Sequence, residues 1–173
     1  VEVHRDVLEA LPFQQRESRG PGLAAHGNFV LSTLSVMYWD GSTPWSYNEL
    51  LDRVIDVDHE QGNGPFRASN SLDEDDSTGW AIGGATDQPH RIIFSSLRQN
   101  LGFIPVDQPW LTLDFQSEYA QHILGRFRLS YASDFYGYGR TPSLSTWSSV
   151  GPFVAKSFEE ARDTVYEPER ELA

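Results

Sequence analysis

A chain of 173 residues is long enough for one domain of about average size and too short for two with separate cores. Its 13 basic and 25 acidic residues leave a formal net charge of −12, a surface that repels phosphate backbones and anionic headgroups and so argues against nucleic acid as a partner. The absence of cysteine excludes disulfides, thiolate metal sites and cysteine nucleophiles together, and an aromatic content of 13% points to a core built from rings between packed sheets.

From Val1 to His26 the sequence is mostly polar, with Arg-Gly-Pro-Gly at 19–22 breaking regular structure. That pattern predicts an extended N-terminal arm over 1–26, pinned to a neighbour by Val7, Leu8, Leu11 and Phe13. Asn28 to Trp39 is the longest apolar run, rich in β-branched and aromatic residues and stopped by Asp40-Gly41; it predicts one strand buried on both faces. Between Ser46 and Asp58 two readings stand. Ser46 and Glu49 have capping-box spacing ahead of Leu50, Leu51, Val54 and Ile55 on one helical face, while Val54 to Asp58 fits a strand equally well.

Residues 59–89 are crowded with turn formers around Trp80 and read as a loop with an aromatic anchor. Three strands are expected next, over Arg91–Leu97, Trp110–Gln116 and Arg126–Ala132. In the second, Leu111, Leu113 and Phe115 alternate with Thr112, Asp114 and Gln116; in the third, Phe127, Leu129 and Tyr131 alternate with Arg126, Arg128 and Ser130. Short half-dry strands separated by long loops favour an antiparallel sandwich over a parallel α/β sheet. The chain then divides into an arm (1–26), a sandwich (27–134) and a glycine- and aromatic-rich loop, short helix and acidic tail (135–173). The helix is expected from Ser157 and Glu160 at capping-box spacing, with Phe158, Ala161 and Val165 on one side.

Several pieces look familiar as a set: GPGLAAHGNFVLSTLSV (21–37), DEDDSTGWAIGG (73–84), QPHRIIF (88–94) and QHILGRFRLSYAS (121–133), followed by Trp147, Gly151-Pro152-Phe153, Phe158 and Pro168-Glu169. In order and spacing they resemble the discoidin-like, galactose-binding-type region of large secreted planctomycete-type proteins that also carry c-type cytochrome domains and companion domains of unknown function. The resemblance covers about 20–170 and implies an all-β, antiparallel jelly-roll sandwich with sugar or protein binding and no catalysis of its own. Asp40 to Asp58 has no counterpart there.

Among residues suited to chemistry, Asp73, Asp75 and Asp76, with Glu74 beside them, form the best metal candidate, because hard oxygen ligands in a tight loop suit calcium. Their spacing departs from the EF-hand pattern, since Gly79 is seventh from Asp73 and the twelfth position is Gly84, and the competing reading is that the carboxylates cap amides of the turn before Trp80. No two of the five histidines have the i, i+4 spacing of a zinc helix. His90 and His122 are expected to hydrogen-bond at strand ends, and His59 to be solvated. Neither G-x-S-x-G nor a phosphate-binding glycine loop occurs, so no enzyme is expected. Arg126 and Arg128 either pair with acidic neighbours across the sheet or form a platform for a carboxylate. Trp39, Trp45, Trp110, Tyr136 and Tyr138 fall near strand ends and loops, where sugar-stacking rings or interface anchors sit.

No apolar run approaches the roughly 20 residues of a membrane-spanning helix. The chain opens at Val1, and its only Met is Met37, as expected of an exported chain that has lost its signal and resides in the periplasm or outside the cell. Two functions are weighed on these grounds. The first is a non-catalytic extrinsic scaffolding or adaptor subunit whose arm and C-terminal segment hold protein partners in a membrane-associated electron-transfer assembly, photosynthetic or respiratory, with a c-type cytochrome. The second is a carbohydrate-binding module that takes a glycan on its loop aromatics.

Overall fold

The computed structural model describes residues 2–14, 19–39, 44–46, 51, 53–62, 64–98, 108–114, 119, 121–134 and 147–154. The short helix expected after Ser157, together with Tyr136 and Tyr138, lies outside them. All the paired strands among the described residues are antiparallel, and the helical element among them is a single 3-10 segment, Ala68–Leu72. The protein is all-β in this region, as the alternating strands and turn-rich connections require.

Among the described residues twelve strands follow in order. They are β1 (Glu2–Ala10), β2 (Phe13–Gln14), β3 (Arg19–Gly20), β4 (Val30–Leu31), β5 (Thr33–Trp39), β6 (Pro44–Ser46), β7 (Arg53–Val57), β8 (Trp80–Ala81), β9 (His90–Arg98), β10 (Gln108–Asp114), β11 (Arg126–Asp134) and β12 (Ser148–Val154). The larger sheet has the order β12-β11-β1-β9-β7, a second has β10-β5-β6, and the pairs β2-β3 and β4-β8 complete the set.

The first correction concerns the N-terminal segment. Read as an arm from its polarity, it forms the middle strand of the larger sheet over Glu2–Ala10, between β11 and β9. Its register sets Leu8 opposite both Leu129 and Ile92. Leu8 and Ala10 enter the main core while Val7, on the other face, is only 1% exposed. The charges that made the segment look solvated are absorbed by the sheet itself: Glu9 lies opposite Arg128 and receives two hydrogen bonds from its guanidinium. A charged side chain tolerates a middle strand when its cross-strand neighbour carries the opposite charge.

The long apolar run is not one strand. Val30–Leu31 pairs with Trp80–Ala81, whereas Thr33–Trp39 pairs with β10 and β6, so a single hydrophobic stretch serves two sheets and changes partner at the buried Ser32. Gly79 lies close against the chain at this point. Its φ of +149° is a conformation that suits glycine, and a Cβ there would collide with the Leu31 carbonyl. Within the stretch where two readings stood, Arg53–Val57 is a strand, and Pro44–Ser46 forms another at its start; Glu49 and Leu50, on which the helical reading leaned, lie outside the described residues. Chain beyond 134 also belongs to the larger sheet, because β12 pairs with β11 and stacks Phe153 on Phe127 at 5.1 Å.

The core joins Leu8, Phe29, Leu31, Trp80, Ile82, Ile92, Phe94, Leu124 and Phe127. Phe29 and Trp80, both fully buried, meet edge to face at 5.0 Å, a geometry that contributes about 0.5–1.5 kcal/mol beyond area burial. The Trp80 indole donates to the His59 carbonyl at 2.9 Å, so the anchor expected of the 59–89 loop ties that loop to the core. On β11 the alternation holds for Phe127, but Ser130, expected on the wet face, is buried opposite Val7.

Candidate functional site

The acidic loop is self-contained. Asp73 accepts from the Asp75 amide at 3.0 Å and from the Thr78 hydroxyl on both oxygens. Asp75 accepts the Ser77 hydroxyl at 2.6 Å and its amide at 2.9 Å, and these two bonds, the hydroxyl's first, hold its carboxyl below the usual aspartate range. These contacts are the turn-capping arrangement. Asp76 is exposed, and among the described residues no three acidic or histidine side chains converge as metal ligands.

Arg126 and Arg128 are likewise turned to the fold. Arg126 donates to the Pro12 carbonyl at 3.0 Å. Arg128 grips Glu9 through Nε at 2.6 Å and a terminal nitrogen at 3.0 Å, and the Glu9 hydrogen bond raises the guanidinium above its ordinary value. Arg128 thus pairs with an acidic neighbour across the sheet, whereas Arg126 meets a backbone carbonyl and no carboxylate in that contact. Trp39, Trp45 and Trp110 all fall in the β10-β5-β6 sheet, where Trp45 pairs with Tyr38, Trp110 with Met37 and Trp39 with Pro44 and Gln108.

A shallow cleft of about 250 Å³ is lined by Glu9, Asp58, Pro89, His90 and Arg91. His90 opens β9 and is buried, with Nε2 facing the Ala85 carbonyl at 2.6 Å and Nδ1 facing Asp58 at 3.3 Å. A carbonyl only accepts, so Nε2 carries a hydrogen. Asp58 also takes the Arg91 amide at 3.0 Å, and Arg91 lies 3.7 Å from Asp56. Both carboxylates of the cleft are thus committed to donors of the fold. His90 acts as a strand-end hydrogen-bonding residue, as its position in the sequence suggested; the His59 ring, expected in solvent, packs 5.0 Å from it.

A second locus was not legible in the sequence. Phe66, Tyr119, His122 and His26 form a continuous row of rings with centroid steps of 5.4, 5.9 and 5.1 Å. Tyr119 is 39% exposed and His26 is exposed as well, while Phe66 and His122 are half-buried. Three loops far apart in the chain build it. The 21–30 segment is zippered to 122–125 by backbone bonds from Leu23 to Ile123, from Val30 to His122 and from Gly125 to Pro21, which sets His26 against His122. The 64–67 turn is fixed by the Gly79 amide and the Asn70 side chain donating to the Pro65 carbonyl at 2.9 and 3.1 Å, which places Phe66 at Tyr119. Gln121, exposed between Tyr119 and His122 in sequence, is held at φ 65°, a left-handed conformation uncommon for a residue with a side chain. Neither periodicity nor motif spacing carries a signal for such a row, because its members belong to no common element.

Fold and site together define a protein that is all-β in its described residues and carries an aromatic loop cluster. No family model, no curated protein and no solved structure matches the chain. No helix among the described residues is long and apolar enough to cross a membrane.

Proposed function

We propose that the chain is a non-catalytic glycan-binding module, a galactose-binding-like jelly-roll sandwich exported to the periplasm or beyond, which holds sugar on the ring row of Phe66, Tyr119, His122 and His26. The observation that carries this reading is the convergence of three distant loops on four rings, two of them exposed. Rings offer C–H faces a packing surface, and imidazole, phenol and amide groups serve hydroxyls as donors and acceptors. The test is a glycan array probed with the wild-type chain and with Tyr119→Ala. Selective binding that the variant loses supports the reading; equal signals from both proteins, or none from either, refute it.

The adaptor reading keeps one supporting observation. β12 ends the strand order of the larger sheet among the described residues and carries Val150 at 43% exposure. A sheet edge of this kind suits docking by a protein partner such as a c-type cytochrome subunit. The arm that first recommended an adaptor is now a sheet strand, which moves the glycan reading ahead. Gentle isolation from the source, size-exclusion chromatography and mass spectrometry of co-eluting chains separate the two: stable co-migration with haem-bearing subunits favours the adaptor, and elution near 19.5 kDa favours the module.

A further inference from the structure

His90 is 3% exposed, and both nitrogens of its ring face oxygen atoms. The Ala85 carbonyl, 2.6 Å from Nε2, can only accept, so Nε2 carries a hydrogen. A neutral imidazole protonated there presents a lone pair at Nδ1, and 3.3 Å from Nδ1 lies the Asp58 carboxylate. An ionised carboxylate also only accepts. The contact is attractive when a second hydrogen stands between the two groups, and the imidazole, the stronger base of the pair, is the one that holds it.

Asp58 gives that hydrogen a mechanical meaning. It follows β7 directly, its Oδ1 also accepts the Arg91 amide at 3.0 Å, and its own amide donates to the Arg91 carbonyl at 3.3 Å. The next residues strap the core: the His59 carbonyl takes the Trp80 indole, and the Gln61 side chain accepts from the Gly83 amide at 3.1 Å. Asp58 is thus the joint between β7 and the strap, and His90 closes that joint from the first position of β9. The titratable groups described around the ring come from four elements. The strap brings Asp58 and His59, whose ring is 5.0 Å away; β1 brings Glu9, held by Arg128 of β11; β9 brings Arg91, 3.7 Å from Asp56 of β7. Of these, Asp58 meets a ring nitrogen directly.

We infer that the Asp58–His90 contact is a proton-operated clasp. It is closed while the ring carries hydrogen on both nitrogens. It opens when rising pH draws the Nδ1 hydrogen to water through the cleft that His90 and Asp58 line, which leaves a lone pair against a carboxylate. The sign follows from that order: the charged ring is the one the carboxylate attracts, so the clasp is present on the acid side of the His90 titration and lost on the alkaline side. The inference involves neither the ring row nor a ligand, and it stands whether or not a glycan binds.

The test is NMR of the 15N-labelled chain between pH 5 and 9. It reads the His90 ring nitrogens, assigned by comparison with His90→Gln, and amide exchange relative to intrinsic rates at Arg91 and Gly83. Arg91 protection should fall by about tenfold, the ratio that about 1.4 kcal/mol produces, with the same midpoint as the His90 ring. Gly83, whose acceptor on Gln61 does not titrate, should show no such step. Asp58→Asn keeps an oxygen for the Arg91 amide and removes the charge, so the Arg91 step should vanish there while His90 still titrates. An Nδ1 without hydrogen at pH 5, Arg91 protection that stays level through the His90 titration, or a step that survives Asp58→Asn would each overturn the inference. The coincidence of the two wild-type profiles decides the matter even if the variant does not fold.

Discussion

Leu8→Ala is the sharpest test of β1 as a structural strand. Leu8 is 1% exposed, sits opposite Leu129 on one side and Ile92 on the other, and belongs to the main core. Truncating such a leucine removes buried methyl and methylene groups and leaves a cavity that the flanking strands close only in part, at a cost of about 2–5 kcal/mol. For a chain of this length each kcal/mol moves the thermal midpoint by about 2–4 °C, so a loss of about 3 kcal/mol lowers it by roughly 6–12 °C. Urea denaturation followed by circular dichroism should show a lower midpoint with an unchanged slope. Val150→Ala, at a position 43% exposed, serves as the control and should fall within about 0.5 kcal/mol of wild type. If Leu8→Ala shifts the midpoint no further than Val150→Ala does, the segment is not a core strand.

Two further outcomes follow from particular residues. Asp75 is held below its ordinary range by Ser77, so the native loop binds fewer protons than the unfolded chain; its contribution is complete above the unfolded aspartate value near pH 4 and is lost as pH falls through the lower native value. Amide exchange at Ser77 and Thr78 should accordingly stay slow from neutral pH to about pH 4 and quicken below it relative to intrinsic rates, and protection persisting undiminished to pH 2 would contradict the assignment. Gly79→Ala forces a side chain into a left-handed backbone position against the Leu31 carbonyl and should cost roughly 3 kcal/mol or more. Gly62→Ala, also at positive φ but in open space, should cost about 1 kcal/mol, and similar losses at the two sites, read by chemical denaturation, would dismiss the steric account.

Legibility in the sequence tracked how local the cause was. The strands expected at Arg91–Leu97, Trp110–Gln116 and Arg126–Ala132 appear as His90–Arg98, Gln108–Asp114 and Arg126–Asp134, because side-chain alternation is a property of the strand alone. β1 escaped because its charges find their partners in the sheet: Glu9 reads as solvated until Arg128, 119 residues later, is placed opposite it. The run from Asn28 to Trp39 escaped for a related reason, since hydrophobicity marks burial but does not say which sheet supplies the neighbours. Asp73 and Asp75 were legible as a choice between capping and calcium, and the contacts they make are with the Ser77 and Thr78 hydroxyls and turn amides nearby. The ring row of Phe66, Tyr119, His122 and His26 had no local signal, because tertiary contacts alone join those loops.

The middle position of β1 carries a consequence for how the protein is made. Glu9 meets Arg128 only after 119 further residues exist, and at about 5–20 residues per second that delay is roughly 6–24 s. During it the first strand can neither pair on its β11 side nor finish the core. β9 emerges earlier and offers it one edge, but a hairpin-like pair exposing Val7, Leu8 and Ile93 on its two faces leaves apolar surface and an open strand edge in water. Closure of the sheet is thus a late and long-range event, of the kind that slows folding, and the interval before it is when this chain is most open to edge-to-edge association and most dependent on whatever shields a nascent strand.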